Sequence, residues 1–501
     1  MTTIARSVSY HPRTGNHVDG PAESAPAEVE TAVAAAVEAF PLVAATPPAI
    51  RQAWLEAIAR ELETKADELC ALADEETALG DPRLSGELAK CAASARFYGT
   101  VATSGHWVGA LVDTVPGPVP TELRRANVSL GPVAVFGASN FPFGFGVLGH
   151  DTCSAIAAGC SVVVKAHPAH PRLSFALAEL ATTVLREVGA PDGTFGLVSG
   201  FKAGLALVDA PAITAVAFTG SRRGGLALVD RAVQRERPIP VFAEMGTVNP
   251  VVVTPSAAAA GNASAEQVAA GFVASFTLGH GQLCTKPGLL LAPEGSGIAE
   301  AVGTLISRVT LGWLLTQGIA DSYRDGLARL VDAGATALGE GKEGGETGLA
   351  AYPAALRVDL DTLQPGSFLL EECFGPVALV AEYASFDDAL AAVARLQPSL
   401  AGGVMTSGQD DPDAAAAVET ISRQVGRVVA DGWPTGVATS WGMHHSGPWP
   451  ATSRPDASSV GSAALLRFTR PVCFQNVPQA YLPAFLRDDN PWGLPVVRTG
   501  R

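Results

Sequence analysis

The sequence predicts an α/β protein whose best-marked unit is a doubly wound parallel sheet. Three observations carry that expectation. Short apolar segments alternate with helical patterns between Gly131 and Gly225, the order that builds strand–helix–strand units. Those segments run into small or polar residues: Gly137-Ala138-Ser139-Asn140, Lys165, Gly200 and Gly220-Ser221. Open α/β sheets bind ligands at such strand ends. At 501 residues the chain also has room for two or three domains.

Composition narrows the class. The chain is 48% hydrophobic and 17% charged, with a formal charge of −15. That charge argues against nucleic acid or an anionic membrane as partner, since both repel it. The seven cysteines form no CxxC pair and suit neither a zinc site nor a disulfide framework. A reduced, cytoplasmic protein is expected, and no secretory signal is visible at the N-terminus. Gly131 to His150 lacks Asp, Glu, Lys and Arg, but its two prolines and five glycines read as a strand and loop rather than a membrane span.

The elements follow in order. Residues 1 to about 20 are polar and show no period. A helix is expected from Glu28 to about Phe40, broken by Pro47 and Pro48. Pro48 to Leu79 carries Ile50, Trp54, Ile58 and Leu62 at helical spacing, and another helix covers Ser85 to Ala102. Val112 to Val128, with Pro116, Pro118 and Pro120, reads as a protruding hairpin. Strands are expected at Pro132–Phe136, Ser161–Lys165, Thr194–Val198 and Ile213–Phe218, with helices at Gly149–Ala158 and Arg172–Val188. The last of these strands enters TGSRRGG, where free N–H groups at a helix start favour a phosphate. The whole reads as a dinucleotide domain without a GxGxxG fingerprint.

Pro240 to Val253 reads as a strand carrying Glu244 among apolar neighbours, either a general base or an ion-paired surface carboxylate. Residues 256 to 278 form an alanine-rich helix that delivers the chain to GHGQLCTKPG. A thiol on that glycine-bounded turn, Cys284, can be approached by a substrate, whereas a core thiol cannot. Leu289–Leu291 is a further strand, and 296–350 is expected to be helical with glycine-rich loops. Glu371 and Glu372 precede Phe374, and at least one of the pair needs a polar partner. A helix covers Asp387–Leu396. Asp431 to Gly461, with His444 and His445, is a long loop of the kind that is often functional. Leu465 to Leu486 returns to strand composition. Asn140 can donate to an oxyanion. His167 and His170 have no cysteine or carboxylate nearby, so no metal site is expected.

Six stretches occur together: SNFP at Ser139–Pro142, VVVK at Val162–Lys165, FTGS at Phe218–Ser221, EMG at Glu244–Gly246, GQLCT at Gly281–Thr285 and EECFGP at Glu371–Pro376. In this order they resemble the NAD(P)-dependent aldehyde dehydrogenases, over about residues 25–485. KAHPAHP, EMGTVNP and GPWPATS resemble the branch that contains the 2-oxoglutarate semialdehyde (2,5-dioxopentanoate) dehydrogenases.

The resemblance implies an aldehyde-dehydrogenase-like fold: a Rossmann-type cofactor domain (1–111 and 130–246), an α/β catalytic domain (247–464) and a small β oligomerisation arm (112–129 and 465–485). It implies Cys284 as nucleophile, Asn140 as oxyanion donor, Glu244 as base and His445 as an auxiliary base. Gly137, Ala138, Ser139, Lys165, His167, Pro168, Lys202, Gly220, Ser221, Gly246, Glu372 and Phe374 would hold the cofactor. NAD-preferring members tend to carry an acid where Pro168 stands, and Lys202, Arg222 and Arg223 are near in sequence, so NADP is expected, with NAD possible. Arg454 is a candidate for a substrate carboxylate, and Phe141, Phe143 and Trp449 for the tunnel wall. Ser139 stands where many members have Trp, and EMGT replaces ELGG; both agree with the branch. A small-molecule aldehyde substrate and a homodimer or homotetramer follow by analogy. A fatty or medium-chain aldehyde dehydrogenase, or a catalytically silent relative, are the rival readings.

Overall fold

In the computed structural model the described residues are 5–499, apart from 119, 260–264 and 346. A five-stranded parallel sheet has the order Phe195–Val198, Val162–Lys165, Val133–Phe136, Ala215–Gly220, Val241–Met245. Val133–Phe136 and Val241–Met245 are buried along their whole length, as strands covered on both faces must be. The chain winds outward from Val133–Phe136 to Phe195–Val198, then crosses to the other side with Ala215–Gly220. That reversal opens a crevice at the carboxyl ends of the two central strands, the place where such sheets take ligands.

A second, seven-stranded sheet has the order Thr336–Glu340, Ala354–Asp359, Val377–Tyr383, Pro287–Pro293, Asn249–Val253, Ser399–Met405, Val425–Ala430. All its neighbours run parallel except Thr336–Glu340. The strand expected over Pro240–Val253 is therefore two strands in two sheets. The chain leaves the first after Met245 and enters the second at Asn249, and apolar composition alone does not mark that crossing.

A four-stranded sheet joins Thr469–Gln475, Thr121–Ser129, Ala110–Val115 and Val496–Thr499. Its last strand lies beyond the 465–485 segment expected for the arm. Further elements differ from the sequence reading, among them the edge strand Thr336–Glu340 inside the 296–350 segment expected to be helical. The polar N-terminus holds a hairpin, Arg6–Tyr10 against His17–Ala22, too short and exposed to show a period. Pro48 to Leu79 is two helices, Pro48–Thr64 and Ala66–Thr77, broken at Lys65 with φ −100° and ψ 18°. The 256–278 helix appears as Pro255–Ala258 and Ala265–Thr277; residues 260–264 of that expectation lie outside the described residues.

The helical N-terminal section has a direct role in placing the site. Trp54, Leu55, Ile58 and Leu62 are buried against the helix Asp81–Ser104 side of the core. From that helix Arg83 donates to the carbonyl of Asn140 at 2.6 Å, while Glu87 accepts from the N–H groups of Phe143 and Gly144 at 2.9 and 3.0 Å. The loop after strand Val133–Phe136 is thus held in shape by a helix well before it in the chain.

Candidate active site

The crevice between the two large sheets is a cleft of about 770 Å³. Its floor is built from the strand ends. Gly137, Ala138 and Ser139 line it, and a β-carbon on Gly137 would stand 2.5 Å from the carbonyl of Phe145, so the turn requires glycine. Lys165 lines the cleft from the next strand, with its pKa lowered to about 8 by burial against the opposing pull of Glu23. His167 and Pro168 also face the cleft. His167 stacks on His170 at 5.2 Å between centroids, and burial holds both rings below the usual histidine range. Their ring nitrogens face protein partners: His167 Nδ1 accepts from Ala169 N–H, and His170 Nε2 meets the carbonyl of Ala138.

Across the crossover, Gly220 and Ser221 open the helix Arg222–Val233 into the cleft. The Ser221 hydroxyl caps it by accepting from Gly224 N–H at 3.2 Å. Glu372 and Phe374 come from the second sheet's side, and Glu372 lies against Gly246, where a β-carbon would overlap its carboxylate. Burial raises Glu372 to about 7, with Lys286 pulling the other way. Lys202 is exposed and Arg454 lies outside the cleft lining.

The turn that carries Cys284 is fixed from several sides. Gly279 and His280 both adopt left-handed backbone, φ 58°. Gln282 is 1% exposed and its Oε1 accepts from Leu315 N–H at 2.9 Å. Asn249 donates to the carbonyls of Cys284 and Lys286, each at 2.8 Å. Lys286 is buried and donates to the carbonyls of Cys373, Gly375 and Val377 at 3.0, 2.8 and 2.8 Å. One ammonium therefore ties the Cys284 turn to the loop that carries Glu372. Sequence reading missed Asn249 and Lys286; both stand inside quoted motifs, but a buried lysine and asparagine look like surface residues in a string.

Cys284 is half-buried and faces the cleft. Burial pushes its thiol up, and Glu244 and Glu372 add to that. His445 Nε2 lies 3.9 Å from its Sγ and 2.7 Å from Glu244 Oε1. The side chains of His445 and Glu244 are 2% and 5% exposed. Glu244 ends an edge strand, and Ala451–Ser453 runs along that edge: Met245 N–H donates to Ala451 at 2.9 Å and Ser453 N–H to Ala243 at 3.0 Å. This pairing brings the long loop to the carboxylate. Ser459 donates its hydroxyl to Glu244 Oε2, and His445 N–H donates to Ser458 Oγ at 2.9 Å. Asn140 donates its amide to the carbonyl of Gln282 at 2.7 Å.

Three expectations for the substrate side are corrected. Phe143 is 1% exposed and belongs to the main core, because the Glu87 clamp turns its backbone away from the cleft. Trp449 is 53% exposed and does not line the cleft. Arg454 pairs with Asp456 through two bonds of 2.9 and 2.7 Å, so its guanidinium already has its carboxylate. Phe141 does line the cleft, under Arg83 at 4.8 Å.

A cleft at a sheet switch point, with a thiol and a carboxylate–imidazole pair at its inner end, is an arrangement suited to a cofactor-dependent oxidoreductase. The chain belongs to the aldehyde dehydrogenase family, whose sequence profile matches residues 3–449, and it is an NAD(P)-dependent aldehyde dehydrogenase. It is 40% identical to alpha-ketoglutaric semialdehyde dehydrogenase 2 of Azospirillum brasilense, covering 98% of this chain and 95% of the relative. It is 39% identical to alpha-ketoglutaric semialdehyde dehydrogenase of Acinetobacter baylyi, over 93% and 89%. Among solved structures, PnpE in complex with nicotinamide adenine dinucleotide has the same fold, with a TM-score of 0.80 at 22% identity over 94% of each chain. An NADP-dependent enzyme of E. coli matches with a TM-score of 0.79 at 21% identity, again over 94% of each chain. Among the described residues no helix is long and apolar enough to cross a membrane.

Proposed function

We propose that this enzyme oxidises 2-oxoglutarate semialdehyde (2,5-dioxopentanoate) to 2-oxoglutarate, with NADP as preferred acceptor and NAD also accepted. The substrate reading rests on the two relatives of that name at 40% and 39% identity. The mechanistic reading rests on one observation, the contact of Cys284, His445 and Glu244 at the inner end of the cleft.

The thiol proton is the first obstacle, since burial and two carboxylates oppose its loss. His445 is placed to accept it at Nε2, and Glu244 at 2.7 Å stabilises the resulting charge. The thiolate attacks the aldehyde carbon and forms a thiohemiacetal. Asn140 Nδ2 and the Cys284 N–H hold the oxyanion; donors of this kind are worth about 3 kcal/mol in the transition state. A nicotinamide cofactor held in the cleft would supply the hydride acceptor for that carbon, and Cys284 carries the resulting thioester. Glu244 then takes a proton from the water that hydrolyses it. Ser459 orients the carboxylate for that step.

The residues present fit a dinucleotide. Gly246 lets the Glu372 carboxylate approach closely, where it would accept from a ribose; the Ser221-capped helix end suits a pyrophosphate, and Lys165 would meet the adenosine end. Pro168 offers no acid against a 2′-phosphate, which favours NADP. Glu23 opposes the lowering of the Lys165 pKa and lies against Gly200 outside the cleft lining; we assign this carboxylate to the unphosphorylated ribose of NAD.

The arm also supports an oligomer. Thr469–Gln475 is an edge strand of the four-stranded sheet, and unpaired edges invite pairing with a second copy. A homodimer or homotetramer follows. Initial rates with 2,5-dioxopentanoate, succinic semialdehyde, glutaraldehyde and hexanal test the substrate. The proposal expects the highest kcat/KM with 2,5-dioxopentanoate; a preference for hexanal would move the enzyme to the fatty-aldehyde reading.

A further inference from the structure

The carboxylate of Glu244 is incompletely used. Oε2 accepts from Ser459, but Oε1 is buried and has no hydrogen-bond partner. His445 Nε2 stands 2.7 Å away from it, off the line that a hydrogen bond needs, while the same nitrogen is aligned with Cys284 Sγ at 3.9 Å. Three potential ligand atoms of three different residue types therefore converge, all within 4.8 Å of one another.

We infer that these three atoms form a reversible binding site for a thiophilic divalent cation, zinc above all, which silences the enzyme while bound. Zinc takes thiolate, imidazole and carboxylate ligands, with about 2.3 Å to sulfur and about 2.0–2.2 Å to nitrogen and oxygen. Tetrahedral angles with those lengths put sulfur and nitrogen about 3.5 Å apart, and nitrogen and oxygen about 3.4 Å apart. The observed 3.9 and 2.7 Å each differ from those values by less than an ångström, and the third pair, thiol to carboxylate, lies within 4.8 Å. The supporting contacts needed to orient ligands are present: Ser459 fixes Oε2 and leaves Oε1 free, and Ser458 and Ser459 hold the backbone of His445.

Charge favours the ion. A dication with one thiolate and one carboxylate is neutral overall in a site where an unpaired charge is costly. The thiol proton leaves to solvent as the Sγ–metal bond forms, and no electron transfer is involved. The cleft side of Cys284 leaves the fourth position to water, as in zinc sites with an open coordination position. Bound sulfur cannot attack an aldehyde, so occupancy and activity exclude each other. The inference uses only the positions of these atoms and is independent of the substrate assigned above.

The test is titration of the full-length enzyme with zinc chloride, following heat or equilibrium dialysis, beside activity with any accepted aldehyde. One ion per chain is expected, with activity lost in parallel and restored by a chelator. Cys284→Ala and His445→Ala should weaken binding by at least about 10-fold, with NADP binding and circular dichroism confirming the fold. Cys473→Ser, which removes the exposed cysteine, should bind as wild type. Cobalt in place of zinc should give a thiolate charge-transfer absorption that Cys284→Ser lacks. No stoichiometric binding, or binding that survives Cys284→Ala and His445→Ala, overturns the inference.

Discussion

Asn140 donates its side-chain amide to the carbonyl of Gln282 at 2.7 Å, tying the end of the first sheet's central strand to the turn that presents Cys284. The bond orients the amide before any substrate arrives and leaves its second N–H for an oxyanion. Arg83 and Glu87 hold the same loop from behind. Asn140→Ala should lower kcat about 10²–10³-fold with little change in cofactor affinity. Steady-state rates beside a cofactor titration check it.

His445 and Glu244 should separate in transient kinetics. His445→Ala removes the acceptor for the thiol proton and should slow the first turnover about 10²–10⁴-fold. Glu244→Ala should retain part of a first-turnover burst and then stall, with a thioester on Cys284. Stopped-flow reading of reduced cofactor and intact-protein mass spectrometry distinguish the two.

Glu372 carries a pH signature. Its pKa is about 7 because burial disfavours the ionised form, and the ionised form is the stronger acceptor for a ribose diol. Cofactor affinity should rise as pH increases through about 7, and Glu372→Gln should flatten the profile. Stability runs the other way. The folded pKa lies above the ordinary carboxylate value of 4.5, so this group's contribution falls as pH rises from about 4.5 to about 7 and is level above that. Cofactor binding and thermal melts across that window measure both.

Lys286→Met should release the loop 373–377. Three buried carbonyls would lose their donor, and each unsatisfied group costs about 1–3 kcal/mol before relaxation. A lower melting temperature is expected, with weaker cofactor binding because Glu372 rides on that loop. Unchanged stability would contradict the ammonium's role as a tie between the two segments.

Glu23→Gln tests the cofactor reading. Removing the carboxylate beside Lys165 and Gly200 should lower kcat/KM with NAD and leave NADP equal or better. Paired initial rates with the two cofactors decide it.

Much of the cofactor sheet was legible in the sequence because buried parallel strands are apolar runs ending in small or polar residues, as Val162–Lys165 and Ala215–Gly220 do. The crossing at Gly246 was hidden, since Val241–Met245 and Asn249–Val253 are alike in composition and differ only in their partners. Cys284, Glu244 and Asn140 were marked by motif. Asn249 and Lys286 were not, because their roles exist only once a carbonyl from a distant segment arrives. The substrate side fared worst. Phe143, Trp449 and Arg454 were placed by nearness along the chain, and the Glu87 clamp, solvent and Asp456 claim them respectively.

The most direct measurement is reduced-cofactor formation from 2,5-dioxopentanoate by wild type and Cys284→Ala, with NADP and NAD in parallel. Cys284-dependent turnover, faster with NADP, is the result expected. Substantial turnover in Cys284→Ala would remove the thiol mechanism, and no turnover by wild type with either cofactor would contradict the assigned reaction.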